Sequence, residues 1–162
     1  MLLFLRPFNL GDYVDAGGIA GTVVEIGLFN TEIKTNIGLC LIVPNSTIWT
    51  SPITNYSRNS TRRFDIPVGI GYDDDVDGAL TLLEGLLDGD DRVLRDSKPL
   101  VVLKELGDSA VIINLRAWTR AEDFWAAVWD LKKAIKIEFE VAGYSIPFPQ
   151  RDIHIVSGDL PC

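Results

Sequence analysis

The first sixty residues carry short apolar runs separated by glycine-containing turns. Runs of this length that are rich in β-branched residues and bounded by glycine are typical of strands. Gly17-Gly18 and Asn36-Ile37-Gly38 supply turns, because glycine accepts a positive φ at little cost. The pattern predicts a small, strongly bent antiparallel sheet with strands at Tyr13–Asp15, Ile19–Ile26, Thr31–Thr35, Leu39–Val43 and Ile53–Tyr56.

The hydrophobic period changes after this region. Residues 63–71 alternate between apolar and small or polar groups, which predicts a strand. From Val76 to Leu87 apolar residues recur at helical spacing, which predicts a helix. Leu100–Leu106 and Ala110–Trp118 flank Gly107-Asp108 and predict a hairpin.

A second, longer helix is predicted over about Ala121–Ala142, where the apolar residues follow a helical stripe. Thr119 and Glu122 fit a capping box at its start, and Gly143 fits a helix stop. After a proline-rich stretch, the alternating segment Arg151–Val156 predicts one more strand. The order β-α-β-β-α-β in this half is the split βαβ, or ferredoxin-like, pattern.

Charge and periodicity together place a domain boundary near Asn59. Residues 1–60 hold 3 basic and 4 acidic groups, a net of −1, whereas residues 61–162 hold 12 and 19, a net of −7. The predicted fold class is therefore α+β, with a β-domain followed by an α/β domain. The predicted divisions are the end of a truncated helix with a linker at 1–8, the β-domain at 9–59, the α/β domain at 60–149 and a terminal strand and tail at 150–162.

Composition excludes several classes of protein. The chain has 162 residues, is 47% hydrophobic and carries a formal charge of −8, so it is neither disordered nor collagenous. The acidic balance disfavours nucleic acid and anionic membrane surfaces as partners. Cys40 and Cys162 do not make a disulfide framework, and Cys40, inside an apolar run, is expected to be a small core residue.

The first residues indicate that the chain is a piece of a longer protein. The apolar run Met1–Leu5 is too short to cross a membrane, which takes about 20 residues. It is followed by Arg6-Pro7, and proline disfavours helical geometry in the residue before it. We expect this run to be the end of a longer apolar helix.

A calcium-loop pattern occurs at the start of the first predicted helix. Asp73, Asp75, Asp77, Gly78 and Glu84 have the spacing of an EF-hand loop. The preceding segment is rich in glycine and contains proline, so it cannot supply the entering helix of a calcium hand. We favour a helix N-cap that places negative charge at a helix N-terminus, and keep a calcium-regulated domain as the alternative.

No catalytic constellation is recognisable elsewhere. His154 has no nucleophile or carboxylate at a catalytic spacing, and nothing in the sequence brings Asp65, Asp123 and Asp130 together as an acid/base set. We therefore predict no enzyme, metal site or cofactor. Trp125 and Trp129 lie one turn apart beside the main helical stripe. They are either core residues or a contact with another subunit, because aromatic residues are enriched in interface cores.

Seven short motifs, in their order and spacing, resemble the small-conductance mechanosensitive channel family. They cover nearly the whole chain, and only the turn Asn36-Ile37-Gly38, often Asp-Gly in the family, and the missing membrane helices depart from the pattern. The motifs are Gly11–Val14, Gly18–Val23, Thr31–Thr35, Val43–Ser46, Ile53–Arg58, Gly71–Asp77 and Gly143–Gln150.

The resemblance implies a cytoplasmic region made of a small Sm-like β-domain, an α/β domain and a C-terminal oligomerisation strand. It further implies a heptamer that forms a hollow cage, with Arg151–Val156 of each copy in a parallel barrel, and ions and small osmolytes passing through. The full protein would lie in the cell (inner) membrane as a multi-pass channel opened by tension during hypo-osmotic shock, and Met1–Leu5 would be the end of its pore-lining helix. The alternative is a soluble ring-forming binding module. The expected interface residues are Pro44, Asn45, Asn55, Trp125, Trp129, Ile153 and Ile155.

Overall fold

A computed structural model describes residues 7–151 and residue 153, and the chain separates into two compact units. Unit 1 spans Met1–Thr61 and unit 2 spans Arg62–Cys162. The mixed α+β class expected from the sequence is confirmed.

Unit 1 is an antiparallel sheet of five strands in the order β4-β3-β2-β1-β5. The turn before β2 uses Gly17 and Gly18, which have φ of 63° and 91°, and the turn before β4 uses Gly38, with φ of 85°. These are left-handed values that favour glycine. The elements are β1 (Tyr13–Ala16), β2 (Ile19–Ile26), β3 (Asn30–Lys34), β4 (Cys40–Pro44), α1 (Asn45–Thr50) and β5 (Ile53–Asn55).

The sequence pattern predicts all five strands to within about two residues but misses the helix α1. This helix has six residues, only one of which, Ile48, is buried, so it leaves no periodic apolar stripe. The core of unit 1 is correspondingly small. Its buried apolar side chains are Phe8, Val14, Ala16, Val23, Ile33, Val43 and Ile48.

Unit 2 contains a sheet of three strands in the order β6-β8-β7 and two long helices. The β7–β8 pair is an antiparallel hairpin with a register shift between Leu103 and Glu105. Buried residues from both helices and all three strands form one apolar core. The elements are β6 (Thr61–Ile70), α2 (Val76–Asp88), a 3₁₀ turn (Arg95–Ser97), β7 (Leu100–Leu106), β8 (Val111–Arg120) and α3 (Phe124–Ala142).

The predicted capping box at the start of α3 is wrong. The strand β8 continues to Arg120, so Thr119 belongs to a strand and α3 begins at Phe124. Alternation along β8 places Thr119 on the core side, where it is fully buried and its hydroxyl has no hydrogen-bond partner among the described residues. The stop at Gly143 is confirmed, since its φ is 82° and its N–H caps the end of α3.

The predicted terminal strand falls largely outside the described residues. Arg151 and Ile153 are described, and neither belongs to a strand. His154, Ile155 and Cys162 lie outside the described residues, as do Met1–Leu5. The described part of unit 2 therefore follows the order β-α-β-β-α.

Candidate functional site

The two tryptophans of α3 lie on its solvent side. The helix buries Val128, Leu131 and Ile135, and this leaves the Trp125 and Trp129 side chains 56% and 63% exposed. Their rings stack, with centroids 5.7 Å apart and an angle of 29° between the planes. The core alternative is therefore wrong, and the pair is a preformed apolar surface.

An arginine orders the neighbouring aromatic ring. The Arg62 guanidinium carbon lies 3.8 Å from the Phe124 ring centroid and 5.9 Å from that of Trp125, which is cation–π geometry. Phe124 and Trp125 meet edge to face at 5.2 Å. We call Arg62, Phe124, Trp125 and Trp129 the aromatic face. Its side chains contact one another within the chain.

Asn45 shapes the turn between β2 and β3. Its Nδ2 donates to the carbonyls of Gly27 and Leu28 at 3.0 and 3.1 Å, and its Oδ1 accepts from the Thr31 hydroxyl at 2.7 Å. The backbone N–H of Asn45 donates to the Phe29 carbonyl at 2.8 Å. The Asn45 side chain therefore makes its hydrogen bonds within the chain. The adjacent Pro44 is exposed at the end of the edge strand β4.

The turn that Asn45 supports displays two large apolar side chains. Leu28 and Phe29 are 72% and 80% exposed at the tip of the β2–β3 hairpin. The strand pattern of the sequence does not predict that they lie at the surface. The available signal was an apolar pair inside a turn, between Gly27 and Asn30, where a polar pair is usual.

Asn55 plays a similar part at the end of β5. Its Nδ2 donates to Asp12 Oδ2 at 2.8 Å, and its Oδ1 accepts from the backbone N–H groups of Ser57 and Arg58, both at 2.9 Å. Like Asn45, it is half-buried and bonded within the chain. Of the remaining expected interface residues, Ile153 is 79% exposed and Ile155 lies outside the described residues.

The acidic motif at the start of α2 acts on the backbone. Asp75 occupies the N-cap position but makes no side-chain capping bond, whereas Asp74 Oδ2 accepts from the N–H groups of Gly71 and Ser145 at 2.9 and 3.1 Å. Asp77 lies within the first helical turn. Across the described residues, no group of three or more His, Cys, Asp or Glu side chains is placed to hold a metal ion. The motif therefore lies at the start of α2, as the helix-start interpretation predicts, but the expected capping hydrogen bond from Asp75 is not formed.

The three aspartates considered as an acid/base set have separate roles. Asp65 accepts from Arg63 Nε and Arg116 Nε, both at 2.9 Å. Burial raises the pKa of Asp65, but the hydrogen bonds from Arg116 and Asn114 and the charge of Arg63 outweigh this effect, and the net shift is downward. An ionised carboxylate that is paired with arginines stabilises the fold and is poorly suited to proton transfer.

Asp130 pairs with an arginine of a different cluster. Arg92 Nη1 donates to Asp130 at 2.9 Å, and Arg92 Nη2 donates to Asp90 at 2.8 Å. Asp123 is the residue that precedes α3, and it makes no side-chain capping bond. The three carboxylates therefore do not share a common partner.

The expectation that Cys40 is a core residue is wrong. Cys40 is exposed, and its Sγ lies 4.0 Å from Glu32 Oε2. It belongs to the edge strand β4, where alternation turns Val43 into the core and Cys40 to the opposite face. An apolar run in an edge strand is therefore not evidence that each of its members is buried.

Comparison with known proteins identifies the family to which the chain belongs. Residues 1–58 match the family model described as "Mechanosensitive ion channel, beta-domain", and residues 64–146 match "Mechanosensitive ion channel MscS, C-terminal". The chain belongs to the MscS family of mechanosensitive ion channels, which is a channel family and not a class of enzymes.

Curated relatives and solved structures agree with this assignment. The chain is 37% identical over 155 residues to the small-conductance mechanosensitive channel of Edwardsiella ictaluri, covering 96% of this chain and 54% of that protein. A family member of Archaeoglobus fulgidus is 37% identical over 150 residues, covering 93% of this chain and 53% of that protein. The chain therefore spans about half the length of the curated relatives it matches.

The closed-state crystal structure of Helicobacter pylori MscS has a TM-score of 0.90 at 25% identity, covering 97% of this chain and 62% of that one. The cryo-EM structure of Arabidopsis thaliana MSL1 has a TM-score of 0.76 at 22% identity, covering 91% of this chain and 55% of that one, and shows the shared fold. No helix among residues 7–151 is long and apolar enough to cross a membrane.

Proposed function

We propose that this chain is the cytoplasmic cage of a tension-gated channel that releases ions and osmolytes during hypo-osmotic shock. The full protein lies in the cell membrane with several spans, and this region surrounds the path of solutes below the pore. The observation that carries the proposal is the match of both units, in order, to the two family models.

The cage assembles from seven copies of this chain, as the resemblance implies. The aromatic face supports assembly, because two stacked, more than half-exposed tryptophans offer a large apolar area at low entropic cost. The open strand edges support it too. In unit 1 the sheet ends at β4 and β5, and a ring of identical subunits can cover such edges by head-to-tail contact.

The expected interface residues divide into two roles. Trp125, Trp129, Pro44 and Ile153 are exposed and contact the neighbouring copy directly, with Ile155 as a further contact. Asn45 and Asn55 act behind the surface by fixing the backbone that presents it.

A cell-survival assay tests the channel function. The gene that contains this chain is expressed in bacteria that lack their own osmotic release channels, and the cells are diluted suddenly into low-osmolarity medium. We expect survival, and membrane patches should show currents that open with applied tension. Patches that carry the protein yet remain silent up to rupture would leave the soluble ring-forming module as the better function.

Light scattering coupled to size exclusion tests the ring. We expect the 162-residue chain to elute as an oligomer, and the double variant Trp125→Ala/Trp129→Ala to shift toward monomer. Trp49→Ala, which removes a partly exposed tryptophan from α1, is the matched control and should leave the mass unchanged. A wild-type monomer, or an equal shift in the control, would contradict the assigned interface.

A further inference from the structure

The segment that enters unit 1 is held firmly although it lies outside any strand. Residues 7–12 precede β1, and Phe8 among them is only 1% exposed and belongs to the core of the unit. An aromatic side chain buried to this extent anchors its backbone, because withdrawing it would expose its apolar surface and leave a cavity.

The Asp12 carboxylate bonds the same segment to the C-terminal part of unit 1. Asp12 Oδ2 accepts from the Asn9 backbone N–H and from Asn55 Nδ2, both at 2.8 Å. Hydrogen bonds to an ionised acceptor are stronger than neutral ones. Asn55 Oδ1 in turn accepts from the N–H groups of Ser57 and Arg58. Two side chains thus connect the point where the chain enters unit 1 to the segment by which it leaves.

Further contacts converge on the first described residue. The Pro7 carbonyl accepts long hydrogen bonds from Asn55 Nδ2 at 3.4 Å and from Arg58 Nη1 at 3.5 Å. The Gly11 N–H donates to the Val23 carbonyl at 2.8 Å, with Gly11 at φ of 87°. The entering backbone is therefore restrained at Pro7, Asn9 and Gly11.

We propose that Phe8, Asp12 and Asn55 form a joint that passes tension from the chain before Pro7 directly to the exit segment Ser57–Arg58. This inference rests on the proposed function and on the expectation that Met1–Leu5 are the end of a pore-lining helix. Without the joint, residues 8–10 could straighten toward a maximum span of about 10 Å before the Gly11–Val23 backbone bond was loaded. With it, a displacement of the preceding segment reaches both ends of unit 1 without slack.

The sign of the effect on gating follows from this stiffness. Widening a pore must displace the segments that line it, and a stiff tether to the cage opposes that displacement. Loosening the joint removes part of the opposition. Channels with a broken joint should therefore open at lower tension than wild type.

Amide hydrogen exchange on the 162-residue chain tests whether the joint is one cooperative unit. For each variant, exchange is measured at the amides that the substituted side chain does not bond directly. Asn55→Ala leaves the Asn9–Asp12 bond intact, and we expect the Asn9 amide to exchange about tenfold faster or more. Asp12→Ala leaves the Asn55 bonds to Ser57 and Arg58 intact, and we expect those two amides to exchange faster by a similar factor. If Asn55→Ala does not fold, Asp12→Asn, which keeps an oxygen acceptor, should speed exchange of the Ser57 and Arg58 amides by a smaller factor than Asp12→Ala does.

Two control variants remove comparable bonds elsewhere in unit 1. Asp15 Oδ1 accepts from the Gly18 N–H, and Asn36 Nδ2 donates to the Tyr13 hydroxyl. Asp15→Ala and Asn36→Ala should leave exchange at Asn9, Ser57 and Arg58 unchanged. Unaltered exchange at the opposite end in Asn55→Ala and Asp12→Ala would reduce the joint to two separate local caps and overturn the proposal.

Patch recordings of the full-length protein test the transmission of force. We expect Asn55→Ala to open at lower tension than wild type and Asn36→Ala to open at the wild-type tension. Equal thresholds for Asn55→Ala and wild type would overturn the mechanical role even if the exchange results hold. A wild-type protein without tension-gated current would instead overturn the proposed function, and the force role with it, while exchange would still decide whether the joint exists.

Discussion

The two units of this chain are stabilised in different ways. Unit 2 packs two long helices and a three-stranded sheet around an extended apolar core, in which Leu83, Ile113 and Phe139 are fully buried. Unit 1 has a small core and relies on side chains such as Asn45 and Asn55 that hydrogen-bond the backbone of its turns. The comparison indicates that burial of apolar side chains dominates the stability of unit 2. Hydrogen bonds from polar side chains contribute a larger share of the stability of unit 1.

The strongest test of this difference removes volume from unit 2. Phe139→Ala deletes a fully buried ring and should lower the free energy of unfolding by about 3–5 kcal/mol. Chemical denaturation followed by tryptophan fluorescence measures the change. Val141→Ala, at an exposed position two residues along the same helix, should cost under about 0.5 kcal/mol. Similar losses in both variants would contradict a core-dominated unit.

A polar substitution should also destabilise unit 1, by a smaller amount. Asn45→Ala leaves the carbonyls of Gly27 and Leu28 without this donor and the buried Thr31 hydroxyl without its acceptor. We expect a loss of about 1–3 kcal/mol, measured by thermal or chemical unfolding. Asn36→Ala removes one exposed bond and is the control, with little expected change. If Asn45→Ala were neutral, unit 1 would not depend on its polar contacts.

Two buried threonines, one in each unit, sharpen the comparison. Thr31 and Thr119 are both fully buried, but within the part of the chain that the structure describes only the Thr31 hydroxyl has a hydrogen-bond partner. Thr119→Val should raise the free energy of unfolding by up to about 1 kcal/mol, because it removes an unsatisfied buried hydroxyl. Thr31→Val should lower it by about 1 kcal/mol. Denaturation curves of the two variants should show changes of opposite sign in the free energy of unfolding. Changes of the same sign would refute this explanation.

The smallest expected effect is a pH dependence of the stability of unit 2. The hydrogen bond from Arg92 holds the pKa of Asp90 below its usual 3.8, despite burial. A carboxyl with a depressed pKa in the folded state contributes stability above its unfolded pKa and loses it as pH falls through the folded value. Wild type should therefore lose stability as pH falls below about 4, and Asp90→Asn should lose less over that range. Parallel melting curves of the two proteins against pH would contradict the assignment.

Much of the secondary structure follows from local sequence. The glycines at 17, 18 and 38 set the turns of unit 1, and each requires only its own backbone geometry. The apolar periods of α2 and of β8 identify the buried faces, because a helix or strand with one apolar face has few ways to bury it. These features are short-range, so one sequence is enough to predict them.

Other features depend on contacts between residues far apart in the chain. The helix α3 is apolar over a broad arc, and only packing decides that Trp125 and Trp129 stay exposed while Phe139 is buried. In the same way, the edge position of β4 decides that Cys40 faces outward. Periodicity identifies candidate faces, but tertiary packing selects the one that is covered.

The polar contacts of the asparagines could not be predicted either. Asn55 meets Asp12 across 43 positions of the chain, and Asn45 meets the Thr31 hydroxyl across 14. Neither spacing leaves a periodic or local signal, so the sequence alone determined that these residues belong to family motifs but not what they bind. That choice is made when the sheet brings its strands together, because a half-buried amide must then satisfy its donors and acceptor with whichever groups the fold places beside it.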